Sequence, residues 1–132
     1  MIAIADDDDA HAEVVCAWVG ALGYEVVRFE TGDALLAWAG ESAVVPAAVL
    51  LDVEMPGRDG FTTCAELRRL PAFAEVPCVL VSGLGEGQLG EGVRTAGASG
   101  SIRKDATLLS RLAAWLRHAV PLPLAPRVAG AA

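Results

Sequence analysis

At 132 residues the chain suffices for one domain with a real core and leaves no room for a second. Its 54% hydrophobic and 20% charged residues exclude a disordered chain, and a net charge of −7 argues against nucleic acid and membrane partners, because an acidic surface repels phosphate. The three cysteines, Cys16, Cys64 and Cys78, lie far apart in apolar segments with no C-x-x-C pair, which fits buried free thiols. A charged cluster interrupts the N-terminus after five residues and no apolar run reaches transmembrane length, so the expectation is a cytoplasmic protein without a signal peptide.

In chain order, strand-like runs occupy Ile2 to Ala5, Glu25 to Phe29, Ala47 to Leu51, Pro77 to Val81 and Gly100 to Arg103, each short and rich in Val, Ile or Leu. Helical spacing separates them. Val15, Trp18, Val19 and Leu22 recur at three- and four-residue steps before Gly23 stops the first helix, and Ala34 to Ala39 follow a Thr31 cap. Phe61, Cys64 and Leu67 mark a third helix ending before Pro71, and Leu108, Leu109, Leu112, Leu116 and Val120 mark the last, ending at Pro121. Alternation of strands with helices predicts a parallel α/β sheet.

Gly83, Gly85, Gly87, Gly90 and Gly92 fall where the pattern demands a fourth helix. Each interior glycine costs roughly 1 kcal/mol against alanine, so the segment is expected as a short or mobile helix or, equally, as a long loop with a helix start near Glu91. Residues 121–132 read as a Pro/Ala-rich tail or linker stub, leaving residues 1–120 as the domain.

Asp6 to Asp9 follow the first apolar run and Asp52 ends the third. Like charges gathered at a sheet edge repel and lose hydration, so the group must take up a proton or bind a metal. A hard divalent ion such as Mg²⁺ suits carboxylates that handle phosphate. In an open parallel sheet, ligands bind beyond the carboxyl ends of the strands. There Asp6 and Asp7, or Asp7 and Asp8 one residue on, meet Asp52, Ser82 at the end of the fourth strand and Lys104 after the fifth. The end of the first strand favours the earlier acidic pair. Asp8 and Asp9 then read as N-terminal acids of the first helix, and Asp59 shapes a turn with Gly60. His11 and His118 read as surface residues without a role.

These motifs together resemble the receiver domain of two-component response regulators over about residues 1 to 120. The acidic run Ala5-Asp6-Asp7-Asp8-Asp9 with Gly23-Tyr24, the stretch Leu50-Leu51-Asp52-Val53-Glu54-Met55-Pro56-Gly57-Arg58-Asp59-Gly60-Phe61, the strand Val79-Leu80-Val81-Ser82-Gly83 and the segment Gly97-Ala98-Ser99-Gly100-Ser101-Ile102-Arg103-Lys104 carry the resemblance in order. It implies a flavodoxin-like, doubly wound five-stranded sheet of order 2-1-3-4-5 flanked by five helices. It further implies a Mg²⁺-dependent phosphoacceptor that takes a phosphoryl group from a histidine kinase or phosphotransfer protein onto Asp52, loses it slowly, and signals to a downstream protein by contact. Asp52, Ser82 and Lys104 would do the chemistry. Asp7 directly, Asp6 through water, Asp52 and the backbone carbonyl of Glu54 would hold the metal.

Two departures stand out. Ser101 occupies the position of the family's usual switch aromatic, and Asp105 follows Lys104 where many members have proline. The expectation is therefore that phosphorylation orders residues 83–92 instead of turning an aromatic, and that the negative charge of Glu54, two residues past Asp52, alters phosphoryl lifetime. A pseudo-receiver that is never phosphorylated is the main alternative. A haloacid-dehalogenase-like phosphatase shares an Asp-x-acid pattern, but its nucleophile belongs on the first strand and its acidic pair last. A flavodoxin-like cofactor carrier would need a hydroxyl-rich phosphate loop where this chain has aspartates.

Overall fold

The apolar runs pair into one sheet in the computed structural model, which describes residues 1–84 and 86–122. Strands β1 (Ile2–Ala5), β2 (Val26–Phe29), β3 (Ala48–Asp52), β4 (Cys78–Ser82) and β5 (Gly100–Arg103) are parallel and lie in the order β2-β1-β3-β4-β5, as expected. Helices α1 (Asp9–Ala21), α2 (Gly32–Glu41), α3 (Gly60–Arg68), α4 (Glu86–Ala96) and α5 (Leu108–Ala119) alternate with them, and a 3-10 turn at Pro71–Phe73 follows α3. Strands β3 and β4 begin one residue later than expected, so Asp52 and Ser82 are themselves their last residues. Strand β2 begins at Val26 instead of Glu25.

Strand side chains alternate between faces, so continuous apolar runs imply cover on both sides. On one face Ile2, Ile4, Leu50, Val79, Val81 and Ile102 pack with Val15 and Val19 of α1 and Leu112 and Leu116 of α5. The other face joins Ala3, Ala5, Val49, Leu51 and Leu80 to Leu35 of α2, Cys64 and Leu67 of α3 and Leu89 of α4. Each fully buried leucine or isoleucine contributes about 1.5–3 kcal/mol of apolar burial. Cys64 and Cys78 are buried and Cys16 half-buried, all as free thiols.

Helix starts are set by side chains that compete for backbone N–H groups. Asp8 caps α1 by accepting from His11 N–H, Thr31 caps α2 by accepting from Ala34 N–H, and Asp59 caps α3 by accepting from Thr62 N–H. Asp59 is thus a helix cap as well as a turn residue. At the close of α1, Gly23 takes φ +106°, a conformation that a side chain would strain.

Helix α4 corrects the expectation of a short helix or a long loop, because it runs for 11 residues. Tertiary packing outweighs the glycine penalty: Leu89 and Ala96 are buried in the core shared with α3, and Val93 packs against it. Gly92 has a positive reason to be there. A Cβ at this position would lie 2.5 Å from the Phe61 ring, so glycine lets α4 approach α3. No described helix is long and apolar enough to cross a membrane. Tyr24 Oη donates to the Val120 carbonyl at 2.6 Å and ties the end of α5 to the turn after α1. From residue 123 onward the expected tail lies outside the described residues.

Candidate functional site

The sheet order puts β2 on one side of β1 and β3 on the other, so the winding direction reverses between β1 and β3. A crevice opens at such a reversal, beyond the carboxyl ends of the two strands. Register makes the ends level. Ala5 pairs with Leu51, which sets Asp6 beside Asp52, and Asp52 pairs with Val81, which places Ser82 one residue further along. Lys104 follows β5 and is fixed by its N–H donating to the Ser82 carbonyl at 2.8 Å. All six residues singled out from the sequence, Asp6, Asp7, Asp52, Glu54, Ser82 and Lys104, come to this one edge.

Carboxylate oxygens of Asp6, Asp7 and Asp52 lie within 4.8 Å of one another, with Asp6 and Asp52 buried and Asp7 exposed. Asp8 is occupied as the cap of α1, so the convergent pair is Asp6 and Asp7. Asp52 Oδ1 accepts from Lys104 Nζ at 2.8 Å and from the Glu54 N–H at 3.1 Å. Burial pushes the Asp52 carboxyl up to about 6, against the bond and charge of Lys104 and with the nearby Asp6 adding to the rise. Burial acts to lower the Lys104 ammonium, but its bond to Asp52 and the charges of Asp52, Glu54 and Asp6 together outweigh this and hold it above the usual lysine range. Hard oxygen donors on so confined a group fit a hard divalent cation such as Mg²⁺.

Across from this acidic side, Ser82 is wholly buried and its hydroxyl donates to Glu54 Oε1 at 2.6 Å while accepting from Leu84 N–H at 3.0 Å. Gly83 N–H donates to the same Glu54 oxygen at 3.2 Å, and Lys104 Nζ lies 3.9 Å from Glu54 Oε2. Burial acts to raise the Glu54 carboxyl, but the Ser82 bond, its own backbone N–H and Lys104 together hold it below the usual glutamate range. Glycine is again required where the loop turns back: a Cβ on Gly60 would sit 2.5 Å from the Asp52 carbonyl oxygen and 2.8 Å from Val53 Cα.

Two neighbours of the site have no role assigned from the sequence. His11 is corrected from a surface residue to a partner of the site, with Nδ1 2.5 Å from Asp6 Oδ2. Arg28, from β2, donates to the Asp6 carbonyl at 2.7 Å through Nη2 and at 3.3 Å through Nε, and to Asp9 Oδ1 at 2.9 Å. A signal for Arg28 was present, since a charge inside the apolar run Val26-Val27-Arg28-Phe29 calls for a partner, whereas nothing in the helical spacing marks His11. Ser101 is half-buried in β5 beside Leu80.

With this geometry established, three kinds of comparison agree. The family profile described as response regulator receiver domain matches residues 2–115. The response regulator PleD of Caulobacter vibrioides is 36% identical over 120 residues, covering 88% of this chain and 26% of that protein. This chain therefore spans about a quarter of that relative. Among solved structures, the receiver domain of NtrX from Brucella abortus has a TM-score of 0.78 at 25% identity, covering 92% of this chain and 99% of the other. The receiver domain of the sensor histidine kinase PA1611 from Pseudomonas aeruginosa, which holds a magnesium ion in its active-site cleft, has a TM-score of 0.78 at 22% identity over 89% of this chain and 93% of the other. The last likeness speaks for the fold. Because the family profile spans all five strands and the sheet edge that collects the acidic, hydroxyl and lysine side chains, this chain belongs to the response regulator receiver domain family.

Proposed function

We propose that this receiver domain is a Mg²⁺-dependent phosphoacceptor with Asp52 as the residue that takes the phosphoryl group. The observation that carries this reading is the buried Asp52 carboxylate, held 2.8 Å from Lys104 Nζ and within 4.8 Å of the Asp6 and Asp7 carboxylates. An Asp52 oxygen attacks phosphorus and forms the new O–P bond, while the bond from phosphorus to the donor's histidine nitrogen breaks and its electron pair stays with the imidazole. Lys104 and Ser82 neutralise and bind the equatorial phosphoryl oxygens, where charge gathers during transfer. Asp6, Asp7, Asp52 and the Glu54 backbone carbonyl hold Mg²⁺, which when bound offsets the negative charge shared by phosphoryl group and carboxylates.

The donor is a histidine kinase or phosphotransfer protein in the cytoplasm. Water later hydrolyses the acyl phosphate slowly, and the output passes by contact to a downstream protein, with residues 1–120 as the receiver and 121–132 as its tail or linker. Incubation with Mg²⁺ and acetyl phosphate, read by intact mass, should add a single phosphoryl group to the parent and none to Asp52→Asn. An adduct that persists in Asp52→Asn, or no adduct on the parent, defeats the reading and leaves a non-phosphorylated binding module.

A further inference from the structure

The oxyanion side of the site is occupied by the chain itself. Ser82 Oγ and Gly83 N–H both donate to Glu54 Oε1, at 2.6 and 3.2 Å, and Lys104 Nζ lies 3.9 Å from Oε2. Two donors on one oxygen, with an ammonium beside the other, make a recognition set for one anionic group. The orientation of the Ser82 hydroxyl is enforced, since its oxygen accepts from Leu84 N–H at 3.0 Å and its single proton is left to point at Glu54. Glu54 lies two residues from Asp52, so its carboxylate is tethered to the group that is to be phosphorylated. Nearly half of its side chain, 46%, is exposed, so it can leave for water without disturbing the core.

We propose that the Glu54 carboxylate is a resident, intramolecular ligand of the Ser82, Gly83 and Lys104 pocket, which an incoming phosphoryl group must displace. The inference rests on the phosphoacceptor reading and adds a threshold to it. A tetrahedral oxyanion and a carboxylate cannot share the same donors, and their like charges forbid close approach in a partly buried site. Apparent affinity for the phosphoryl group is therefore reduced by the fraction of molecules in which Glu54 is seated. Charge and reach are both needed to seat it. Gln keeps the reach without the charge, and Asp keeps the charge but is one methylene too short for Ser82.

Titration of the full chain with beryllium trifluoride anion and Mg²⁺, followed by the Gly83 amide resonance, separates the two contributions. Glu54→Gln and Glu54→Asp should each bind the anion about tenfold tighter than the parent, the scale of one charge-assisted hydrogen bond. The Gly83 resonance should differ among the three proteins when free and converge when the anion is bound. Equal affinities overturn the inference and leave the phosphoacceptor reading standing. A gain in Glu54→Gln alone, with Glu54→Asp at the parental value, overturns it too, because charge without occupancy would then account for the effect. No binding by any of the three, with no adduct from acetyl phosphate, brings down the phosphoacceptor reading and this inference together. Thermal melts of the variants, expected to keep a single cooperative transition because the Glu54 side chain lies outside the core and is 46% exposed, guard against misfolding as the cause.

Discussion

The two halves of the site stand in opposite conditions. On the β1 and β3 side, the Asp6, Asp7 and Asp52 carboxylates crowd within 4.8 Å and Lys104 reaches Asp52 alone among them at hydrogen-bond distance. On the β4 side, the Ser82 hydroxyl and Gly83 N–H already have their acceptor in Glu54. One half gathers three carboxylates around a single bonded lysine, and the other already has an acceptor for each of its donors. The difference teaches that the edge is open to a cation but guarded against an anion, so metal binding and phosphoryl binding should respond to different residues. Burial, with Asp6 adding to it, holds Asp52 up to about 6, whereas at Glu54 a hydroxyl, two N–H groups and a lysine together outweigh burial and hold the carboxyl low.

The comparison can be broken most severely at the loop that joins the halves. Gly60→Ala would drive a Cβ to 2.5 Å from the Asp52 carbonyl oxygen, a backbone atom that cannot step aside, so both halves should be displaced together. A loss of about 3 kcal/mol in urea-denaturation stability is expected, near the upper end for overpacking. Parental stability would mean that this loop yields freely and does not hold the halves in register.

Next in size, Asp7→Asn removes one carboxylate from the acidic half only. Because Asp7 is exposed and makes no bond to Glu54 or Ser82 among the described contacts, folding should be unaffected. Mg²⁺ affinity, by titration calorimetry, should fall by at least about tenfold, a loss that even outer-shell partners of metal sites produce. Glu54→Gln should leave Mg²⁺ affinity closer to the parent than Asp7→Asn does. The reverse ranking would dissolve the distinction between halves.

The smallest effect is electrostatic. Between the ordinary Asp value of 3.8 and about 6, folded Asp52 holds a proton that the unfolded chain has released, so stability falls as pH rises through that window and levels off above it. In the presence of a chelator, lowering the pH from about 7 to about 5 should stabilise the parent by about 1 kcal/mol from this group. Chemical denaturation at the two pH values, repeated with Asp52→Asn, measures the term, which should vanish in the variant. Saturating Mg²⁺ should suppress it in the parent, because a cation favours the ionised carboxylate. An unchanged difference in Asp52→Asn would assign the pH dependence elsewhere.

Much of this was legible along the chain. Short Val, Ile and Leu runs separated by helical spacing identified all five strands, and the carboxylate, hydroxyl and lysine at their ends named the site. Helix α4 was misread because glycine propensity is a local quantity, whereas Leu89 buried in the core and the close pass of Gly92 by Phe61 are properties of two helices. His11 was missed for a related reason: its meeting with Asp6 depends on the angle at which α1 leaves β1, and no spacing rule carries that angle.

By itself, then, the sequence determined which residue types end the strands, and hence the chemistry available at the edge, because strand burial and the order of elements follow from local hydrophobic pattern. Only the tertiary structure decided how those groups pair. Glu54 stands two residues from Asp52 and 28 residues from Ser82, yet its carboxylate accepts the Ser82 proton at 2.6 Å, since the β3 to α3 loop folds over the end of β4. Hydrogen bonds of that kind are chosen by distance in space and by the need of each buried donor for an acceptor, neither of which is written in the order of residues.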